Sequence, residues 1–185
     1  TIDRTKPAMV NLMDRAIGYY TDAAQVTGIV YDAFTNQPIE GAIVEVLEHT
    51  GSVLKPRLTD EFGRYRRIMN PGTYTISIRA AKYLPQEITA VANNSGITTE
   101  DIFLEPAENH TLTLTLVHHT LDMITIDGFI QNEFDMETIQ ISTGENSFEL
   151  PEGMYTIVFP LDNEFIPWEK YISLTGDYSF VVPYL

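Results

Sequence analysis

Val26 to Glu48 reads VTGIVYDAFTNQPIEGAIVEVLE, and after a loop Thr59 to Tyr83 reads TDEFGRYRRIMNPGTYTISIRAAKY. From Val26 to Asp32 and from Ala42 to Glu48, β-branched and aromatic residues alternate with small or polar ones, the period of strands with one buried face. Between them Thr35-Asn36-Gln37-Pro38 supplies a turn, with Pro38 fixing φ and Asn36 tolerating the left-handed region, and Gly41 suits a bend into the second strand. Asp60 to Gly63 is a second polar turn, Arg64 to Met69 a third strand, and Asn70-Pro71-Gly72 a tight turn into Thr73 to Arg79. The segment therefore predicts consecutive antiparallel strands in a β-sandwich, not a helix-containing nucleotide fold.

Downstream, Glu87 to Val91 predicts a short strand, and Ile97 to Leu104, with Ile102 and Leu104 on one face, would complete the sandwich before a boundary near Ala107. This arrangement resembles the carboxypeptidase regulatory-like domain, a transthyretin-like (prealbumin-like) sandwich found directly after the catalytic domain of many M14 zinc carboxypeptidases. The matching positions are Gly28, Val30, Asp32, Thr35, Pro38, Gly41, Ala42, Val44 and Val46, then Thr59, Asp60, Gly63, Tyr65, Pro71, Gly72, Tyr74 and Tyr83. Lys82 stands where a glycine usually precedes the aromatic, so a different turn is expected there.

At 185 residues the chain can hold one large domain or two small ones. It lacks cysteine, which excludes disulfides, thiolate metal sites and a cysteine nucleophile. No apolar run approaches the roughly 20 residues of a membrane span. The chain opens at Thr1 without a signal-peptide pattern, so a targeting segment is expected upstream. From Ala107 onward there are 13 acidic residues against one basic residue, Lys170, which gives −12 of the total −15. Such acidity opposes phosphate backbones and anionic lipid, so neither nucleic acid nor an anionic membrane surface is an expected partner.

Thr5 to Tyr20 predicts one amphipathic helix, with Pro7 at its first turn and an apolar stripe of Met9, Leu12, Met13, Ala16, Ile17 and Tyr20. That stripe packs either on the adjacent sandwich or on a preceding domain. The second half opens on the clearest alternation in the chain, Thr111-Leu112-Thr113-Leu114-Thr115-Leu116, all leucines on one face. Further strands are expected at 124–130, 137–141, 147–150, 154–159, 171–174 and 178–182. GRYRRIMNPGTYTISI (63–78) is echoed by ENSFELPEGMYTIVF (145–159), with Tyr74 matched to Tyr155 at an offset of 81, and Tyr83-Leu84-Pro85 by Phe165-Ile166-Pro167. The expected architecture is all-β, two tandem β-sandwich domains (25–106, transthyretin-like, and 107–185, acidic) preceded by an N-terminal helix and linker (1–24).

The resemblance directs attention to zinc chemistry, and the residues argue against it here. An M14 carboxypeptidase holds zinc through His-x-x-Glu and a distant histidine, whereas the residues three after His49, His110, His118 and His119 are Ser52, Thr113, Leu121 and Asp122. His119 with Asp122 is the one pair placed for adventitious metal. No phosphate loop, nucleophile elbow or Tyr-Arg-Gly-Ser terminus is present, and Glu133 with Asp135 is a chance carboxylate pair in an acidic chain. No catalytic residue, metal site or cofactor is expected in this segment, zinc belonging only to an upstream catalytic domain. The resemblance implies an exported, periplasmic or secreted, accessory region that positions that domain through Met9, Leu12, Met13, Ala16 and Ile17. A carbohydrate or cell-surface binding module is the alternative, with Trp168, Tyr171 and Tyr178 as its platform, since exposed rings stack on sugars. A structural spacer of a surface protein is the third reading.

Overall fold

The computed structural model describes residues 9–10, 12–14, 23–52, 55–94, 96–117, 123–160 and 167–183. The chain divides into two compact units, Thr1–Ala80 with Pro85–Glu105 and Ala81–Leu84 with Pro106–Leu185. The first contains β1 (Gln25–Asp32), β2 (Ile43–Val46), β3 (Arg57–Leu58), β4 (Arg64–Ile68), β5 (Gly72–Arg79), β6 (Gln86–Ala92), β7 (Ile97–Thr99) and β8 (Ile102–Leu104). One sheet runs β4-β1-β7, with β8 continuing along β1, and the other runs β3-β2-β5-β6.

The strands of the opening segment are thus antiparallel neighbours only in part. β1 and β2 lie in different sheets: β1 pairs antiparallel with β4 and parallel with β7 and β8, while β2 pairs with β3 and β5. The turn between β1 and β2 carries the chain from one sheet to the other. The Asp32 carboxylate accepts the Phe34 and Thr35 amides, Asn36 takes φ +55° and Gly41 φ +73°. The predicted strand over Ala42–Glu48 ends at Val46, where a 3-10 turn, Leu47–His49, begins.

The second unit contains β9 (Asn109–Val117), β10 (Thr125–Gln131), β11 (Met136–Ser142), β12 (Gly144–Pro151), β13 (Gly153–Phe159), β14 (Trp168–Leu174) and β15 (Tyr178–Pro183). Its sheets are β12-β9-β15 and β11-β10-β13-β14. Strand for strand this is the order of the first unit, with β15 in the place of β7 and β8. In each unit the first strand lies between the fourth and a parallel last strand, and the second lies between the third and the fifth. Leu112, Leu114 and Leu116 are buried to within 1% and centre the core with Ile141, Ile157 and Leu174. Each such side chain contributes about 1.5–3 kcal/mol.

The repeat read in the sequence has a structural counterpart. The Tyr74 hydroxyl donates to the carbonyl of Asn70 at 3.0 Å, and that of Tyr155 donates to the carbonyl of Pro151 at 2.8 Å, four residues back in both units. Each ring lies over a glycine at the strand start, Gly72 or Gly153. The hydroxyl ties down the turn entering the strand, and the small residue leaves the ring room.

Met9, Val10 and Leu12–Asp14 are helical. The remainder of the predicted helix, including Ala16, Ile17 and Tyr20, lies outside the described residues, as do His118, His119 and Asp122.

Candidate functional site

Most of the polar residues that draw the eye in the opening segment are engaged in building the fold. Thr59, 4% exposed, donates through Oγ1 to the Ile39 carbonyl and accepts the Ala42 amide. The Asp60 carboxylate accepts the amides of Phe62 and Arg64 and the Arg64 Nε. Those bonds hold its carboxyl below the usual range, the Arg64 side chain contributing most. Gly63 at φ +70° closes this turn, and a Cβ there would sit 2.7 Å from the Val30 carbonyl. Tyr65 crosses the inner face of its sheet above Gly28 and donates to the Glu100 carbonyl at 2.7 Å. Burial pushes the Tyr65 phenol well up, so it is a fixed hydrogen-bond donor and not an acid at neutral pH. Two cations are also engaged: Arg67 donates to the Lys55 carbonyl, with burial depressing its pKa, and Arg79 pairs with Glu45 at 3.1 Å.

Three surfaces remain. Met9, Leu12 and Met13 are exposed at 60%, 67% and 58%. On the outer face of the first unit, Tyr31 stacks on exposed Phe103 at 5.3 Å, and Ile29 pairs with Arg64, whose guanidinium lies 4.7 Å over exposed Phe62. In the second unit the three rings expected to form a platform are separated, Trp168 and Tyr171 on opposite faces of β14 and Tyr178 on β15 in the other sheet. Trp168 stacks on Phe180 at 5.4 Å and touches Phe159, and Tyr178 also meets Phe180. Lys170 covers Phe180 and Tyr178 from the same side. Tyr171, three residues from Trp168, points the other way and is exposed. Odd spacing in a strand requires this.

The carboxypeptidase regulatory-like domain family matches residues 25–117. The chain belongs to this family. Human carboxypeptidase D is 32% identical over 82 residues, 44% of this chain and 6% of that protein. The chain therefore spans a small fraction of its relative. Among solved structures, the Bacillus anthracis TIE protein aligns over 85% of this chain and 33% of its own, at 19% identity and TM-score 0.40. A streptococcal ancillary pilin aligns over 86% and 62% at 12% identity and TM-score 0.44. A Bacteroides uniformis protein described as a putative carbohydrate binding protein aligns over 82% and 96% at 12% identity and TM-score 0.36.

In this regulatory-like domain the position expected to be glycine, Lys82, adopts φ +69°. A left-handed backbone of this kind suits glycine, so the lysine carries the strain of a left-handed residue. Among the described residues no three His, Asp or Glu side chains are grouped to hold a metal. No described helix is long and apolar enough to cross a membrane.

Sequence reasoning missed a cross-strand row. Gln131 faces Thr156, and Thr156 faces Tyr171, on the outer side of the second unit. Only strand register, which short-range patterns leave open, brings these distant residues together.

Proposed function

We propose that this segment is the non-catalytic accessory region of a larger, exported zinc metallocarboxypeptidase-like protein, where it supports and positions the catalytic domain. Family membership together with the uncovered stripe of Met9, Leu12 and Met13 supports this reading. An apolar helical stripe left in water is disfavoured, and a preceding domain in the same chain would cover it at high effective concentration. Ala16 and Ile17 extend the stripe by helical periodicity. Zinc and the general base belong to that preceding domain, and this segment's part is mechanical. In the test, the whole protein and its separated catalytic domain are prepared, and association with this segment is measured by calorimetry. Replacing Met9, Leu12, Met13, Ala16 and Ile17 together by serine should weaken association at least about tenfold, a loss of about 1.4 kcal/mol. Unchanged association, or a native protein with no His-x-x-Glu domain before Thr1, would overturn the reading.

A further inference from the structure

We propose that the outer face of β10, β13 and β14 in the second unit binds a neutral saccharide, with the Tyr171 ring as the stacking surface and Gln131 and Thr156 as partners for its hydroxyls. The register puts these three side chains in one row on adjacent strands. A depression of about 370 Å³ lies along the row and is bounded further by Asn132, Glu133 and Met154. Its size suits a ligand of one or a few sugar rings. Tyr171 is 72% exposed, yet it stands on a strand paired with β13 over seven residues, so the ring is carried by a rigid support.

The chemistry selects the ligand class. Sugar hydroxyls both donate and accept, as do an amide and a threonine hydroxyl taken together, and the C–H face of a pyranose matches an aromatic face. Glu133 and Glu169 are the charges beside the row. Lys170, the only basic residue after Ala107, lies on the opposite face over Phe180 and Tyr178. Phosphate, uronate and nucleic acid are therefore repelled. An apolar peptide would find only Met154 and one ring to bury.

This site lies in the second unit and does not depend on the accessory-region reading. The 185-residue chain is titrated calorimetrically with xylohexaose, cellohexaose, mannohexaose and chitohexaose, with oligogalacturonate and a poly-L-proline peptide as competitors of different class. At least one neutral oligosaccharide should bind. Tyr171→Ala should weaken it about tenfold or more, and Tyr171→Phe should retain it within about threefold. Because Tyr171 is exposed, the unfolding midpoint of Tyr171→Ala should match the parent, which separates loss of the site from loss of the fold. Failure of all four neutral sugars, binding unaffected by Tyr171→Ala, or binding of oligogalacturonate or poly-L-proline in their place would each overturn the proposal.

Discussion

The two units share a strand order but pack their central strands differently. In the first, β1 places Gly28 beside Tyr65, and the Tyr65 ring covers the glycine to reach the Glu100 carbonyl. The parallel ladder opens at this point: β7 stops at Thr99, β8 starts at Ile102, and the Ile29 amide donates to the Asp101 carboxylate instead of a backbone carbonyl. In the second unit the corresponding pair is Leu114 beside Asn146, and β15 runs unbroken along β9 from Tyr178 to Pro183. A large residue has moved from the edge strand to the central one, and the side chain opposite has become small. The order of strands survives because the turns and the tyrosine hydroxyls fix it, while volume can be traded between neighbours provided the sum is kept.

The sharpest way to break the comparison is at this exchange. A Cβ on Gly28 would overlap the Glu100 carbonyl oxygen, and backbone cannot swing aside, so Gly28→Ala should cost about 4 kcal/mol. Leu114→Ala in the second unit leaves a cavity and should cost about 3 kcal/mol. Urea denaturation measures both, the first by circular dichroism and the second also by the fluorescence of Trp168, the one tryptophan. A Gly28→Ala variant as stable as its parent would show that the opening beside β1 is not fixed by packing.

Next in size are the matched tyrosines. Tyr155 is 6% exposed and Tyr74 half-buried, so removing a hydroxyl leaves a carbonyl less hydrated in the second unit. Tyr155→Phe should cost about 1.5 kcal/mol and Tyr74→Phe about 0.5. Equal losses in thermal melts would mean that the shared bond is insensitive to its surroundings. Lys82→Gly should raise stability by about 0.5–1 kcal/mol by relieving the left-handed lysine, offset in part by unfolded-chain entropy. A lowered melting temperature would count against the strain.

The smallest effect concerns charge. The turn between β3 and β4 is held by the Asp60 carboxylate, whereas the corresponding turn between β11 and β12 is held by Asn146, which accepts the Ser142 amide and donates to the Ser142 and Gly144 carbonyls. The bonds from Arg64, first its side chain and then its amide, hold the Asp60 pKa below the ordinary aspartate value in the folded state. Its contribution is thus present above the unfolded value and is lost as pH falls through the folded one. The stability difference between the parent and Asp60→Asn should shrink from pH 7 toward pH 2. An Asn146→Ala difference should stay flat over the same range, as read from urea midpoints.

Local chemistry was legible wherever the responsible atoms sit within a few residues. The alternation at 111–116, the turns at Asn36 and Gly41 and the Tyr74–Tyr155 echo are all of this kind. Less legible were the sheet assignments. β1 and β2 read as neighbours because alternation reports one buried face without naming the strand beside it, and Arg57–Leu58 is too short to show a period. The aromatic trio was close in sequence, but the pleat sent Tyr171 away from Trp168.

By itself the sequence determined the strand periods, the turn residues, the acidity of the second half and the family resemblance, because each is a property of neighbouring residues. Tertiary structure alone decided that the first strand pairs in parallel with the last, that Tyr65 fills the space of Gly28, and that Gln131, Thr156 and Tyr171 share one row. Those outcomes depend on register between distant segments, where a shift of one residue would turn every side chain to the other face.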